Sequence, residues 1–360
     1  MAGKFFDVKY LMNMTDKQGN KPEIFIVCSK VRGPGKTTSV GKMIINKALE
    51  TGEKFVLICR NQGDVGHYAE GCLKETVNLF FSDYRVEERV GSKGVYSSVY
   101  LIQSIYDEEG AEEATEEIHV GYVIALRAYG KIKNISSLFT DSWCTVQDEF
   151  IPADRRYLPD EPKMLLNLHQ SLARGGGKSS RYYPHFMMAN CIDIFNPYFA
   201  DAFKLIGKIQ SNTKKFCNGK IAFMRFESKG VIQEQKESTF NQAFEGYYDE
   251  AEYDDNSWMA DDNSLCCKPD PKWGYVQYQY NLHDGDLWLR LAYYYSANIY
   301  MLDFGQEQGL TTFAMKDPEI GETSWAAPNR RIRTKLRQLF QSGQLLFRDE
   351  RVKRAYLSRF

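Results

Sequence analysis

The chain has 360 residues, of which 43% are hydrophobic, 14% aromatic and 26% charged, and its formal net charge is −1. This is the make-up of a folded globular protein with room for two domains, and it excludes a disordered chain or one that grips nucleic acid by a global excess of positive charge. No apolar stretch is long enough to span a bilayer and the opening MAGKFFDVKY lacks the apolar run of a secretory signal, so the sequence predicts a cytoplasmic protein with no membrane partner.

Residues 22–29, PEIFIVCS, read as a short buried strand, and KTTSVGKMIINKALE after them as a helix whose Val40, Met43, Ile44 and Leu49 recur at helical spacing. Between them lies a glycine-proline-glycine turn. Strand, glycine loop and helix in that order are the setting of a phosphate-binding loop, although Lys30 stands where the full pattern G-x-x-x-x-G-K-[ST] has its first glycine. Lys30, Gly33, Pro34, Gly35, Lys36, Thr37 and Thr38 are the candidate nucleotide-binding residues. The glycines let backbone N–H groups face the anion, Lys36 reaches the outer phosphates, and Thr37 offers a hydroxyl to magnesium.

KFVLIC (54–59) predicts a second strand, and 95–128 a hairpin with a long acidic turn that decorates the domain. SWCTVQDEF (142–150) reads as a strand that ends in Asp148 and Glu149, interrupted by the polar Gln147. A helix, MLLNLHQSLA, then stops at Arg174 and three glycines, and HFMMANC (185–191) is the next apolar strand. Alternating strands and helices predict a mostly parallel sheet. Ligands of such sheets gather at the carboxyl ends of the strands, which is where Lys36, Asp148, Glu149 and Asn190 fall.

An aspartate at a strand end can hold magnesium through water while the next glutamate orients and deprotonates an attacking water, so the pair completes an ATPase site. Asn190 is placed either to contact the γ-phosphate or to cap a loop. Arg174 is either catalytic or a basic residue that suits the carboxyl end of a helix. The eight cysteines show no C-x-x-C spacing and the five histidines no zinc spacing; Cys28, Cys59, Cys144 and Cys191 read as small buried hydrophobes, and Cys266 and Cys267 as loop residues.

From about 208 the pattern turns polar and mixed, leading into the acidic run at 246–262, and reads as a linker. Residues 273–305 give three short tyrosine-rich strands with a turn at Asp284 and Gly285, and the basic residues crowded after 330 predict an anionic partner.

The strings VRGPGKTT, VQDEFIP, LLNLHQSLARGGG, MMANCIDIFNPYF and GQLLFRDERVKRAYLSRF resemble the DNA-packaging ATPases of small tailed phages related to phi-29, most specifically in the run from Asn190 to Phe199. The resemblance implies an α/β chain: an ASCE-type P-loop ATPase domain (1–207), a linker (208–262), and a small α+β domain of RNase H-like ancestry (263–360) without its metal carboxylates. It implies ATP and magnesium as cofactors, and a ring of five identical subunits docked at the procapsid portal in the host cytoplasm. The ring drives double-stranded DNA inward, against a portal protein, a structural packaging RNA or both. Within the site it implies that Arg32 lies in the phosphate loop, Glu149 is the catalytic carboxylate, Arg174 serves a neighbour's ATP and Asn190 is the sensor. The family's basic residue after the second strand is here Gln62. Arg60, Lys131, Lys133, Arg155 and Arg156 are read instead as the charges facing DNA, with solvated surface positions as the alternative. Two other functions remain in view: a terminase large subunit with an active carboxyl-terminal nuclease, and a switch or chaperone ATPase without DNA.

Overall fold

A computed structural model of the protein describes all residues except 1–4, 31–32, 92–93, 107–111, 154–155, 175–179, 192–193, 195, 206–207, 210–212, 243–264, 285–286, 316–329, 343 and 358–360. The chain divides into two compact units, Met1–Met259 and Ala260–Phe360.

The first unit runs α1 (Val8–Met12), β1 (Ile24–Ser29), α2 (Lys36–Thr51), β2 (Lys54–Cys59), α3 (Tyr68–Phe80), β3 (Arg85–Val90), β4 (Tyr96–Tyr106), β5 (Glu112–Ala125), α4 (Tyr129–Ile132), β6 (Ser142–Gln147), α5 (Glu161–Leu172), β7 (His185–Asn190), β8 (Lys215–Cys217), β9 (Ile221–Arg225), α6 (Lys229–Glu237) and α7 (Thr239–Gln242). Its strands form one sheet in the order β3-β4-β5-β2-β6-β7-β1-β9-β8. The sheet is mixed. Strands β5, β2, β6, β7, β1 and β9 run parallel, while at the flanks β4 joins β5, β3 joins β4 and β8 joins β9 in antiparallel pairs. In β1 and β2 every residue after the first is buried, as expected where both faces of a parallel sheet are covered. Helix α2 lays Val40, Ile44, Ile45 and Ala48 into the core and ends at Gly52, whose φ of 73° is the left-handed conformation that glycine adopts at little cost.

Two expectations change. The hairpin at 95–128 is no decoration, because β5 pairs in parallel with β2 and buries Val120, Val123 and Ile124 completely. Its alternating pattern hid a strand whose one end lies inside the sheet. The linker expected over 208–262 also gives way at its start: β9 pairs in parallel with β1 and every one of its residues is buried. Burial of a large apolar side chain contributes roughly 1.5–3 kcal/mol, so Ile221, Phe223 and Met224 make this strand core rather than connection. The first unit therefore extends beyond 207, to a division at Met259. The acidic run 246–262 lies outside the described residues.

The second unit is built from β10 (Val276–Asp284), β11 (Leu287–Tyr294), β12 (Ile299–Phe304), β13 (Thr312–Ala314), α8 (Arg330–Gln341), β14 (Leu345–Phe347) and α9 (Glu350–Leu357). Strands β10, β11 and β12 form an antiparallel meander, with β13 parallel to β10 at one edge and β14 parallel to β12 at the other. Leu282, Leu289, Leu291, Leu302, Leu345 and Phe347 from the strands pack with Leu336, Val352 and Tyr356 from the two helices.

Candidate nucleotide site

The carboxyl ends of β1, β7 and β6 lie side by side, and each contributes to one cluster. Gly33 and Gly35 hold φ of 83° and 82°, and Gly35 is the N-cap of α2, so the loop turns into the helix through conformations that side-chain-bearing residues avoid. The loop is backed by the amino-terminal segment: the Phe6 N–H donates to the Pro34 carbonyl at 2.8 Å. Lys36 is buried and its ammonium donates to Ser29 Oγ and, at 3.1 Å, to Asn190 Oδ1. That meeting follows from register, since Ser29 of β1 stands opposite Asn190 of β7. Burial pushes the Lys36 ammonium below its ordinary range, with Asp148 and Glu227 among the groups that oppose the fall.

Thr37 Oγ1 donates to Asp148 Oδ2 at 2.7 Å, which joins the start of α2 to the end of β6. Burial raises the Asp148 carboxyl above its usual range, against the hydrogen bonds from Thr37 and from the Glu149 N–H and the charge of Lys36. Gln147, the polar interruption of the strand, is buried with its amide 3.3 Å from the Tyr198 hydroxyl. Glu149 follows β6 in a left-handed turn with φ of 51° and an exposed side chain. For a residue other than glycine that conformation costs on the order of 1–3 kcal/mol and persists only where its surroundings hold it. Here the Glu149 N–H is fixed by Asp148 Oδ1 at 2.9 Å and the Phe150 N–H by the Met188 carbonyl at 3.1 Å.

The remaining loop candidates divide. Lys30 is buried and its N–H donates to Glu227 Oε1 at 3.0 Å, so a residue from beyond β9 braces the loop where the pattern lacks a glycine. Thr38 lies half-buried in the first turn of α2, and Arg32 falls outside the described residues. Arg174, exposed just past α5, is not near this cluster. Arg181 hydrogen-bonds to the carbonyls of Ser142 and, through its N–H at 3.0 Å, Ala173, which pins the end of α5 to the start of β6. Asp148 lies past the other end of that strand, a strand length of roughly 17–20 Å away, and an arginine side chain cannot span it.

A lysine, a threonine-aspartate pair and an exposed glutamate at adjacent strand ends are groups whose chemistry suits phosphate and a cation. Residues 109–357 match the family model of the Podovirus DNA encapsidation protein (Gp16), more than half of the chain. The chain belongs to this family. It is accordingly a phage DNA encapsidation protein. Among solved structures, a chain of the bacteriophage Phi-29 viral genome packaging motor assembly is similar with a TM-score of 0.65 at 16% identity, over 99% of this chain and 98% of that one. The Phi-28 gp11 DNA packaging motor is similar with a TM-score of 0.53 at 17% identity, over 99% and 96%. At these identities the likeness speaks for the fold. A search of curated proteins by sequence gave no match.

The motif most specific to the Gp16-type resemblance has a physical use. Asn196 Oδ1 accepts from the Phe199 N–H at 3.0 Å and sets the turn in which the Tyr198 hydroxyl reaches Glu161 at 2.8 Å, while Phe199 packs with Phe150 and Phe223. Of the charges expected to face DNA, Arg60 has another task. Its guanidinium is forked onto Glu161, which is completely buried, with Nε and Nη2 each at 2.9 Å, so its donors are taken up inside the protein. Lys131, Lys133 and Arg156 are exposed, and Arg155 is outside the described residues. The basic tail is likewise less free than its composition suggests. Arg351 pairs with Asp349 at 2.6 Å, Arg333 donates to the Met315 carbonyl, Lys353 is buried, and Lys335 lies over the Tyr300 ring at 4.9 Å.

Sequence reading missed Ser29, Glu227, and the Arg60–Glu161 pair. Ser29 could have been found as the polar end of an apolar strand just before the loop. Glu227 was hidden because the segment that carries it, just past β9, read as linker.

Proposed function

We propose that this packaging protein hydrolyses ATP at the Lys36–Asp148 cluster and uses it to drive double-stranded DNA through the portal of a procapsid, as a ring of five copies in which Arg174 of one subunit serves the site of the next. The observation that carries the reading is the separation just described: Lys36, Thr37, Asp148, Glu149 and Asn190 converge at one end of the sheet, and Arg174 stands at the other. Lys36, the loop amides and Arg32 would bind the phosphates, and Thr37 with Asp148 would hold magnesium. Magnesium supplies charge neutralisation on the phosphate oxygens. Glu149 orients the attacking water and takes its proton as the bond from γ-phosphorus to the bridging oxygen breaks and ADP leaves. Asn190, whose Oδ1 accepts from Lys36, reports the γ-phosphate by donating its Nδ2 amide to a phosphate oxygen. Exposed Lys131, Lys133 and Arg156, with Arg155, are the proposed DNA contacts, and a portal protein, a packaging RNA or both the docking partners.

The second unit is read as an RNase H-like domain that binds nucleic acid without cutting it. A meander with a parallel strand laid beside its first strand supports the first part. For the second, Arg290 occupies both Asp303 and Glu307 at 3.3 Å. That observation also weighs against a terminase with an active nuclease. Glu149→Gln tests the central claim: nucleotide affinity should stay within about twofold while steady-state hydrolysis falls by at least a factor on the order of a hundred. Equal turnover by the two proteins would remove Glu149 from its role.

A further inference from the structure

We infer that Arg60 is a positioning residue for Glu149, an inference that rests on Glu149 being the base. Arg60 directly follows β2, the strand next to β6, and its guanidinium does two things at once. On one side Nη2 donates to the Phe150 carbonyl at 3.1 Å, and Nη1 and Nη2 each reach the Glu149 carbonyl at 3.4 Å. On the other side Nε and Nη2 clasp Glu161 at the first turn of α5.

Glu161 is itself immobilised. Its Oε2 accepts from the Leu158 N–H at 2.8 Å as well as from Arg60, and its Oε1 from the Tyr198 hydroxyl at 2.8 Å as well as from Arg60. The guanidinium is therefore fixed by a saturated, buried carboxylate and presents its remaining donors to the backbone of the catalytic turn. With the N–H groups of Glu149 and Phe150 held by Asp148 and Met188, the peptide groups on both sides of the left-handed residue are pinned, and only the Glu149 side-chain torsions stay free. The planar fork of arginine suits this bridging; a lysine would keep the charge beside Glu161 but could not reach both carbonyls. Arg60 touches no reacting atom. It acts by keeping a strained residue in the one backbone conformation that aims its carboxylate.

The test is Arg60→Lys in the full chain, with turnover, affinity for a fluorescent ATP analogue and a thermal melt measured together, and Glu149→Gln carried as a control. Misplacement of a catalytic group by about 1 Å can cost a hundredfold in rate, so kcat should drop by about tenfold or more while nucleotide affinity stays within about twofold at a temperature where the variant is fully folded. A merely structural arginine would lower the melting temperature and leave kcat per folded molecule alone. Wild-type kcat in folded Arg60→Lys, or affinity lost in proportion to kcat, overturns the inference. If the lysine variant does not fold, Glu161→Asp decides: it keeps the ion pair but draws the guanidinium away from the carbonyls, and unchanged turnover there is equally fatal. Should Glu149→Gln itself turn over normally, the assignment of the base fails, and the outcome with Arg60 cannot be confused with it.

Discussion

Asp148 carries the clearest consequence at the level of a single side chain. Burial raises its carboxyl, so as pH falls through that raised value it takes up a proton and loses the charge a cation needs. Affinity for the magnesium nucleotide should therefore weaken in acid more steeply than the nucleotide's own protonation explains. Asp148→Asn keeps an acceptor for the Thr37 hydroxyl but carries no charge at any pH, so magnesium-dependent binding should be about 10–100-fold weaker and should vary with pH only as the nucleotide's own protonation dictates. Titrating magnesium against a fluorescent nucleotide at several pH values reads both effects. An Asn variant that keeps the wild-type slope would show that another group titrates. The Thr37–Asp148 contact and the Lys36–Asn190 contact share a logic: charged and polar groups proposed to hold a ligand satisfy one another across the cluster.

Among the elements, β9 has the sharpest test. It covers the edge of β1, whose interior residues are buried on both faces, and with β8 it completes the sheet. A chain ended at 207 leaves that apolar parallel strand with a row of unpaired N–H and C=O groups, which is a template for aggregation. It should be insoluble or elute as aggregate in gel filtration, whereas a chain ended at 259 should elute as a discrete species with a cooperative melt. A well-behaved 1–207 fragment would show that β9 is dispensable. Helix α5 matters for a different reason: one end, through Glu161, braces the Glu149 turn, and the other leads to Arg174. One helix thus connects the residue proposed as a subunit's own base to the residue proposed to act on its neighbour.

For the whole molecule the proposal makes hydrolysis a property of the assembly. Turnover should climb more than linearly with protein concentration, and Arg174→Ala should be nearly inactive yet bind ATP, because an arginine offered in trans can be worth 10³–10⁵ in rate. Mixing Arg174→Ala with Glu149→Gln creates some interfaces that pair an intact Glu149 with a neighbour's intact Arg174, and two inactive proteins should then recover part of the ATPase activity. No recovery in mixtures that gel filtration shows to be co-assembled would place Arg174 outside the reaction.

The loop, the helix after it, the strand ends and the residues placed there could be read along the chain, because these depend on local rules: glycine where φ must be positive, apolar runs where both faces are covered, and polar residues where a strand leaves the core. Lys36, Thr37, Asp148, Glu149 and Asn190 were legible on those grounds, and the family strings made them specific. The rest was set by pairings between residues far apart in the chain. Arg60 and Glu161 are about a hundred positions apart, and no local pattern tells a solvated arginine from one forked onto a buried carboxylate. Lys30 and Glu227 meet across almost two hundred. The same holds for β5 and β9, whose sequences suit an exposed hairpin or a linker as well as a sheet, since whether a short strand is core or surface is set by which neighbour it pairs with and what covers its faces.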